Sequence, residues 1–504
     1  MGNHPHWAPR RVVRPQCWAL FLMNQKVDQL GATSDADSSI WFLDADGAET
    51  WGTLRHLGRH EVSFELVSTD GVLRTSEILD EFRVKLGHRL VYSGRATTTA
   101  VTHVGPRMMC SVTLEEPLAE PAPQDVDPSL GGGAFDGFIS GWQKYYHIDP
   151  GFKVVVADLQ LLLSDMEIWL AGVEVGFGER MGRGHDLALN TLARELGTRT
   201  TPALNSMFEK FEVAAAAGSS EWRPAYRSFS RRQLNALLLC APFLHRTYRK
   251  PLGYAGDYEM VNMICRDPLE GSTLFARLVN LWFLEQPPAV AHRNRLLYLE
   301  KRIADVTVRA VSEGRTARIL SIGCGPAVEV QQFLRRHSYA DRAEFTLLDF
   351  NEETLSRARA QLSEIKKHHQ RLTPIGLVKK SVMALLREPS LSFGGKEPGF
   401  DMVYCAGLFD YLTDPVCRRL STQLFRWVRP GGIFLSTNVH TSNPWPFVMD
   451  FVMDWHLIYR TTAQMVATRP EQTAPEDCQL KTDITGVNVY LEVKKAEMAA
   501  RGIK

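Results

Sequence analysis

The sequence predicts an α/β protein: a doubly wound, Rossmann-like sheet at the C-terminus, preceded by a small β-barrel and a helical domain. Three observations predict it. The apolar run Ile319–Ile322 enters the turn Gly323-Cys324-Gly325-Pro326, a helical pattern runs from Val328 to Arg336, and a second apolar run, Phe345–Leu348, ends in Asp349. Strand, glycine turn, helix, strand and acid make a nucleoside-binding half of a doubly wound sheet, with the carboxylate placed for ribose hydroxyls. Closely spaced short β-runs between Ser39 and Leu114 predict the barrel. Leucine-rich periodicity from Lys153 to Arg302 predicts the helices.

Glycines in the turn let the backbone bend sharply and let a ligand approach the main chain. A dinucleotide fingerprint would need a third glycine where Val328 stands, so a pyrophosphate cradle is not expected. The sheet continues with candidate strands Ile375–Val378, Phe400–Cys405, Gly432–Thr437 and Val487–Val493. Ligands bind at the carboxyl ends of such strands. That edge collects Gly323, Cys324, Gly325 and Pro326, then Asp349 and Phe350, Ser381 and Val382, and Cys405, Ala406 and Gly407. These are the candidate cofactor contacts.

A chain of 504 residues has room for about two to four domains. A net charge of +1 offers no global attraction to nucleic acid or a membrane. The 8 cysteines include no CxxC pair, which argues against a metal site or a disulfide framework and fits a reducing cytoplasm. The apolar piece Cys17–Met23 is too short for a membrane span. Peripheral membrane contact stays open. The expected organisation is a loose extension at 1–35, a barrel at 36–118, a linker at 119–145, a helical domain or lid at 146–302 and the sheet domain at 303–504.

Within the β-rich part, Val62–Leu66, Arg89–Tyr92, Ala96–Thr102 and Met108–Thr113 are the expected strands, and Arg55-His56-Leu57-Gly58-Arg59 has an RxxxR form. This stretch resembles a PilZ domain, a barrel that in many bacteria binds cyclic di-GMP. The family's DxSxxG or NxSxxG motif does not follow, so cyclic di-GMP is not expected as a ligand. In the helical part, Tyr248–Asn262 reads YRKPLGYAGDYEMVN, a glycine- and tyrosine-rich loop in which Asp257 could cap the next helix. Such a loop suits a lid.

The GxG turn with its acid, the RPGG turn at Arg429–Gly432 and the strand FDMVYCAG resemble class I S-adenosylmethionine (SAM) methyltransferases. YRKPLGYAGDYEMVN, AHRNRLLYL, ILSIGCGPAVEV, YCAGLFDYL and DWHLIYRT together resemble the bacterial synthases of 3-hydroxypalmitic acid methyl ester, over nearly the whole length. The resemblance implies SAM as cofactor and the carboxylate of a 3-hydroxy fatty acid as acceptor. A carboxylate is already ionised at pH 7 and needs only orientation. Tyr254, Tyr258, Tyr411 and Arg460 are the candidates to hold it, while an alcohol or amine acceptor would want a base such as His440 or His456. Two alternatives stand beside this: methylation of another small acid or natural product, and a nucleotide-sensing protein whose sheet domain is not catalytic.

Overall fold

The computed structural model describes residues 38–43, 47, 49–66, 73–87, 89–104, 107–116, 118, 139, 147–178, 185–387 and 399–497. The extension expected at 1–35 and most of the linker at 119–145 lie outside the described residues.

Strands β1 (Ser38–Leu43), β2 (Glu49–Leu57), β3 (Glu61–Leu66), β4 (Ile78–Leu86), β5 (Arg89–Val104) and β6 (Arg107–Leu114) close into a barrel in the order β1-β2-β3-β6-β5-β4. All its pairings are antiparallel. Alternate residues point inward, and Phe42, Phe64 and Phe82 meet in its centre. The two runs expected at Arg89–Tyr92 and Ala96–Thr102 are one long strand, β5. Arg55 lies in β2 and bonds Glu65 at 2.9 Å through Nε, so half of the RxxxR motif is tied within the barrel.

Helices dominate residues 150–178 and 185–312, ending in the long helix Pro287–Ser312, which runs across residue 302. Its inner face, with Leu299, Ile303, Val306 and Ala310, packs on one face of the sheet. Asp257 caps the helix Tyr258–Cys265 by accepting from Met260 N at 2.8 Å.

The sheet comprises β7 (Ala317–Ile322), β8 (Ala343–Asp349), β9 (Ile375–Lys379), β10 (Phe400–Cys405), β11 (Val428–Val439), β12 (Cys478–Thr482) and β13 (Asn488–Lys494), in the order β12-β13-β11-β10-β7-β8-β9. β7 to β11 are mutually parallel, and β12 and β13 add an antiparallel edge. Helices cover both faces, so β10 is buried at every residue. No described helix is long and apolar enough to cross a membrane.

Barrel, helices and sheet meet at a buried charge cluster. Asp454, beyond β11, accepts from Arg231 at 2.5 Å, Lys250 at 2.7 Å, Thr97 of β5 at 2.9 Å and His456 at 2.9 Å. Asp450 takes Arg227 at 2.7 Å and faces His456 Nδ1 at 3.0 Å, and Arg227 also donates to Thr113 of β6 at 2.8 Å. Burial alone would raise the Asp454 carboxyl, but the charges of Arg231 and Lys250 outweigh it and hold it well below the usual range. The Asp450 carboxyl is lowered in the same way, by Arg227 and His456.

Replacing one member of a buried cluster leaves charges without a partner, so Asp454→Asn is expected to cost about 3–5 kcal/mol of stability at pH 7. The sign of the pH dependence follows from the depressed carboxyls: their stabilisation is complete above the unfolded-state value near 4 and is lost as pH falls below it. Thermal melts at pH 7 and pH 3 check both points. The variant should melt lower at pH 7, and its deficit should shrink in acid.

Candidate active site

One cavity of about 490 Å³ opens at the carboxyl ends of β7, β8 and β10. This lies within the range of small-molecule sites. The turn after β7 supplies part of its wall, with Gly323 at φ +67° and Gly325 at φ +52°. Both angles are left-handed and favour glycine. A Cβ on Gly325 would meet nothing within 4 Å, so that face of the turn is open. The Asp349 carboxylate accepts from Gly325 N at 3.0 Å and Asn351 N at 3.1 Å. A carboxylate offers about four lone-pair sites, so capacity remains for a pair of hydroxyls. Burial raises its pKa, and backbone donors pull the other way. Phe350, Ser381 and Val382 continue this wall.

The opposite chemistry comes from the helical core. Phe243, Ile264, Trp282, Phe283, Trp445, Met449 and Met453 belong to that core and also line the cavity. A third contribution comes from the barrel. Phe42, Leu66, Leu73, Arg74 and Glu77 reach the cavity. The Arg74 guanidinium lies 4.1 Å from the centre of the Phe350 ring, beside the acid that ends β8. Ile78 N donates to Gly253 O at 2.8 Å, and Ser76 Oγ donates to His456 O at 2.8 Å.

Tyr411 is where these walls join. Its hydroxyl accepts from Trp455 Nε1 at 2.9 Å, and a Cβ on Gly256 would come within 2.7 Å of it. The loop around Tyr254 and the segment Asp454–Arg460 therefore do face each other across this side chain. Tyr254, Tyr258 and Tyr411 all line the cavity. Tyr258 donates to Glu353 at 2.8 Å. Burial pushes all three phenols up, so they stay neutral and act as donors, not as bases.

Of the other expected contacts, Cys324, Pro326, Ala406 and Gly407 line the cavity, while Cys405 is buried in the sheet core. The remaining candidates for catalysis do not reach it. His440 lies beyond β11 with Nδ1 2.8 Å from Ser442 Oγ. His456 is clamped between Asp450 and Asp454. Arg460 is 1% exposed and bonds Asp414, the carbonyls of Phe409 and Leu412, and Asn438 Oδ1, all at 2.5–2.9 Å. It is a brace for the turn that carries Tyr411. Trp455 and Leu457 line the cavity while His456 does not, which is the two-residue alternation of extended chain.

Sequence reasoning passed over Arg74, His292 and Arg295 as site residues. The last two lie in AHRNRLLYL, where a helical pattern gives no sign of which residues face a cavity. Among the described residues, no group of His, Cys, Asp and Glu could hold a metal ion.

The methyltransferase-domain family matches residues 319–432, the span from β7 into β11. That span is a methyltransferase domain. The open glycine turn and the Asp349 carboxylate fit the amino-acid and ribose parts of SAM. No curated protein matches the chain. Among solved structures, a possible exported protein from Bordetella parapertussis is 18% identical over 52% of this chain and 88% of its own, with a TM-score of 0.38. An O-methyltransferase family protein from Burkholderia thailandensis is 13% identical over 56% and 75%, at 0.30. Magnesium protoporphyrin IX methyltransferase from Synechocystis, with bound SAH, is 9% identical over 41% and 85%, at 0.29. Scores this low carry no weight for substrate or chemistry.

As a brace, Arg460 should matter for the fold more than for methyl transfer. Arg460→Ala strands buried acceptors at a cost of about 1–3 kcal/mol each. A lowered denaturation midpoint, with unchanged SAM affinity of the folded protein, is the expected result. A stable variant with lost turnover would instead restore a role in catalysis.

Proposed function

We propose that this methyltransferase esterifies the carboxylate of a 3-hydroxy fatty acid, releasing a methyl ester. The observation that carries the reading is the make-up of the cavity: a nucleoside-type wall and an apolar wall of Trp282, Phe283, Trp445, Met449 and Met453 enclose the same space. An amphiphile with a polar head and an alkyl tail suits that division. The motifs shared with the 3-hydroxypalmitic acid methyl ester synthases support the same acceptor.

When bound, SAM supplies an electrophilic methyl group. In this reading Gly323, Gly325 and Asp349 hold it, with Ser381 and Val382 beside the adenine and Ala406 and Gly407 near the transferred group. The rest of the chemistry is positioning and dryness. A carboxylate nucleophile is ionised at pH 7, so the absence of His440 and His456 from the cavity removes nothing the reaction needs. In-line displacement gains most from alignment and from exclusion of water. The aromatic helical wall and the barrel residues Leu66 and Leu73 supply the exclusion, and Tyr254 and Tyr411 donate as neutral phenols toward an acceptor oxygen.

Two outcomes test this. Asp349→Ala removes charge-assisted hydrogen bonds to the ribose and should weaken SAM binding by about 1.5–3 kcal/mol, read by calorimetry. Wild-type affinity in that variant would remove Asp349 from the cofactor site. In a methylation assay across a series of 3-hydroxy acids, kcat/KM should rise with chain length by up to about 0.8 kcal/mol per buried methylene. A flat series, or a requirement for an amine acceptor, would sink the acceptor assignment.

A further inference from the structure

We propose that Arg295 and His292 form a carboxylate-binding site in the cavity wall, beside the turn that follows β10. Arg295 is 7% exposed and lines the cavity from the helix Pro287–Ser312. Its guanidinium lies against Gly407, where an added Cβ would come within 3.0 Å of Nη2 and 3.1 Å of Nη1. Gly407 sits at φ +90°, so both its backbone conformation and the space above it exclude a side chain.

The guanidinium carries five N–H donors. Among the described residues its hydrogen bonds go to one partner, the His292 ring, with the shorter contact from Nη2 to Nδ1 at 3.1 Å. Nε is buried and has no hydrogen-bond partner. The nearest carboxylate, Asp410 Oδ2, is 4.0 Å from Nη1, beyond hydrogen-bond range. The other deeply buried arginines are built differently. Arg227 has Asp450 at 2.7 Å, and Arg460 has Asp414 at 2.8 Å with two carbonyls and an amide oxygen besides. A buried cation with most of its donors unused is costly unless something else supplies the acceptors.

His292 sharpens the choice of ligand. Arg295 Nη2 can only donate and its shorter contact is to Nδ1, so the tautomer with the proton on Nε2 fits best and gives the ring a donor. Burial, with Arg295 and Arg293 adjacent, keeps the ring neutral. The site therefore offers donors and one fixed positive charge. A planar monoanion that accepts from a guanidinium fork is the natural partner. A dianion such as a phosphate is disfavoured, because Asp410 and Glu329 line the same wall.

Two carboxylates could come here: the α-carboxylate of SAM and the carboxylate of the acceptor, the second resting on the acceptor proposed above. Calorimetry on the full chain separates them with four probes: SAM, decarboxylated SAM, octanoate and 1-octanol. Losing charge-assisted bonds lowers affinity by about ten- to a hundredfold. If the site takes the cofactor, Arg295→Met weakens SAM by that factor and leaves decarboxylated SAM unchanged. If it takes the acceptor, the variant weakens octanoate by that factor and leaves 1-octanol and both cofactors unchanged. Equal loss across all four probes, or no change in any, overturns the proposal. Should Arg295→Met fail to fold, His292→Leu carries the same comparison with smaller expected factors. None of these measurements needs turnover. A 3-hydroxy fatty acid that binds through Arg295 yet is never esterified would defeat the acceptor reading and leave the carboxylate site standing.

Discussion

The buried cluster around Asp454 is the constraint on which the rest of the molecule depends. It ties Thr97 of the barrel, Arg231 and Lys250 of the helical part and the segment beyond β11 to one carboxylate. Lys250 has no side-chain exposure at all and Asp454 is 5% exposed, so neither charge can turn to water without the parts separating. A buried ion pair is often no more stabilising than well-packed apolar residues of the same volume. What it adds here is a single permitted arrangement, because any rotation of the barrel would leave a charge buried and alone.

That arrangement makes the barrel part of the cavity wall. Held by the cluster, the chain from Leu73 to Ile78 is delivered against Gly253, Tyr254, Tyr411 and His456. Arg74 then lies over Phe350, next to Asp349. The cavity has three contributors: the sheet edge, the apolar helical core and the barrel.

How much of this was legible in the sequence follows from which physical signals are local. Phe400–Cys405 was readable as a strand to the residue, because a strand buried on both faces is a near-continuous apolar run, here interrupted only by Asp401. The glycine turn and Asp349 were readable because their chemistry is carried by residue type and spacing. β1, β2 and β4 were not. Glu49–Leu57 reads ETWGTLRHL and has no buried residue, so its pattern is too polar to announce a strand; only barrel closure pairs it. β12 was missed for the same reason, with CQLKT lying on an exposed edge. The segment DWHLIYR supplied two site candidates, His456 and Arg460, neither of which lines the cavity. Which of its residues point inward was set by the alternation of the chain, which puts Trp455 and Leu457 in the wall and leaves His456 to the ion cluster.

Arg295 and Arg460 show where residue type stops being informative. Both are buried arginines, and on sequence alone Arg460, in the aromatic-rich DWHLIYR, looked the better functional candidate. Their surroundings reverse the order. Arg460 meets a carboxylate, two carbonyls and an amide oxygen, a set that consumes its donors and leaves nothing for a ligand. Arg295 keeps Nε unbonded and stands 4.0 Å from the nearest acid, in the wall of a cavity. A folded chain gains by satisfying every buried donor it can, so an incomplete set on a buried cation is a departure from what stability favours. Such departures gather at functional sites, where the missing partner arrives with the ligand. The methyltransferase reading needs a group that orients without donating or accepting a proton. A guanidinium does this, because it remains a cation at every pH at which the protein is folded.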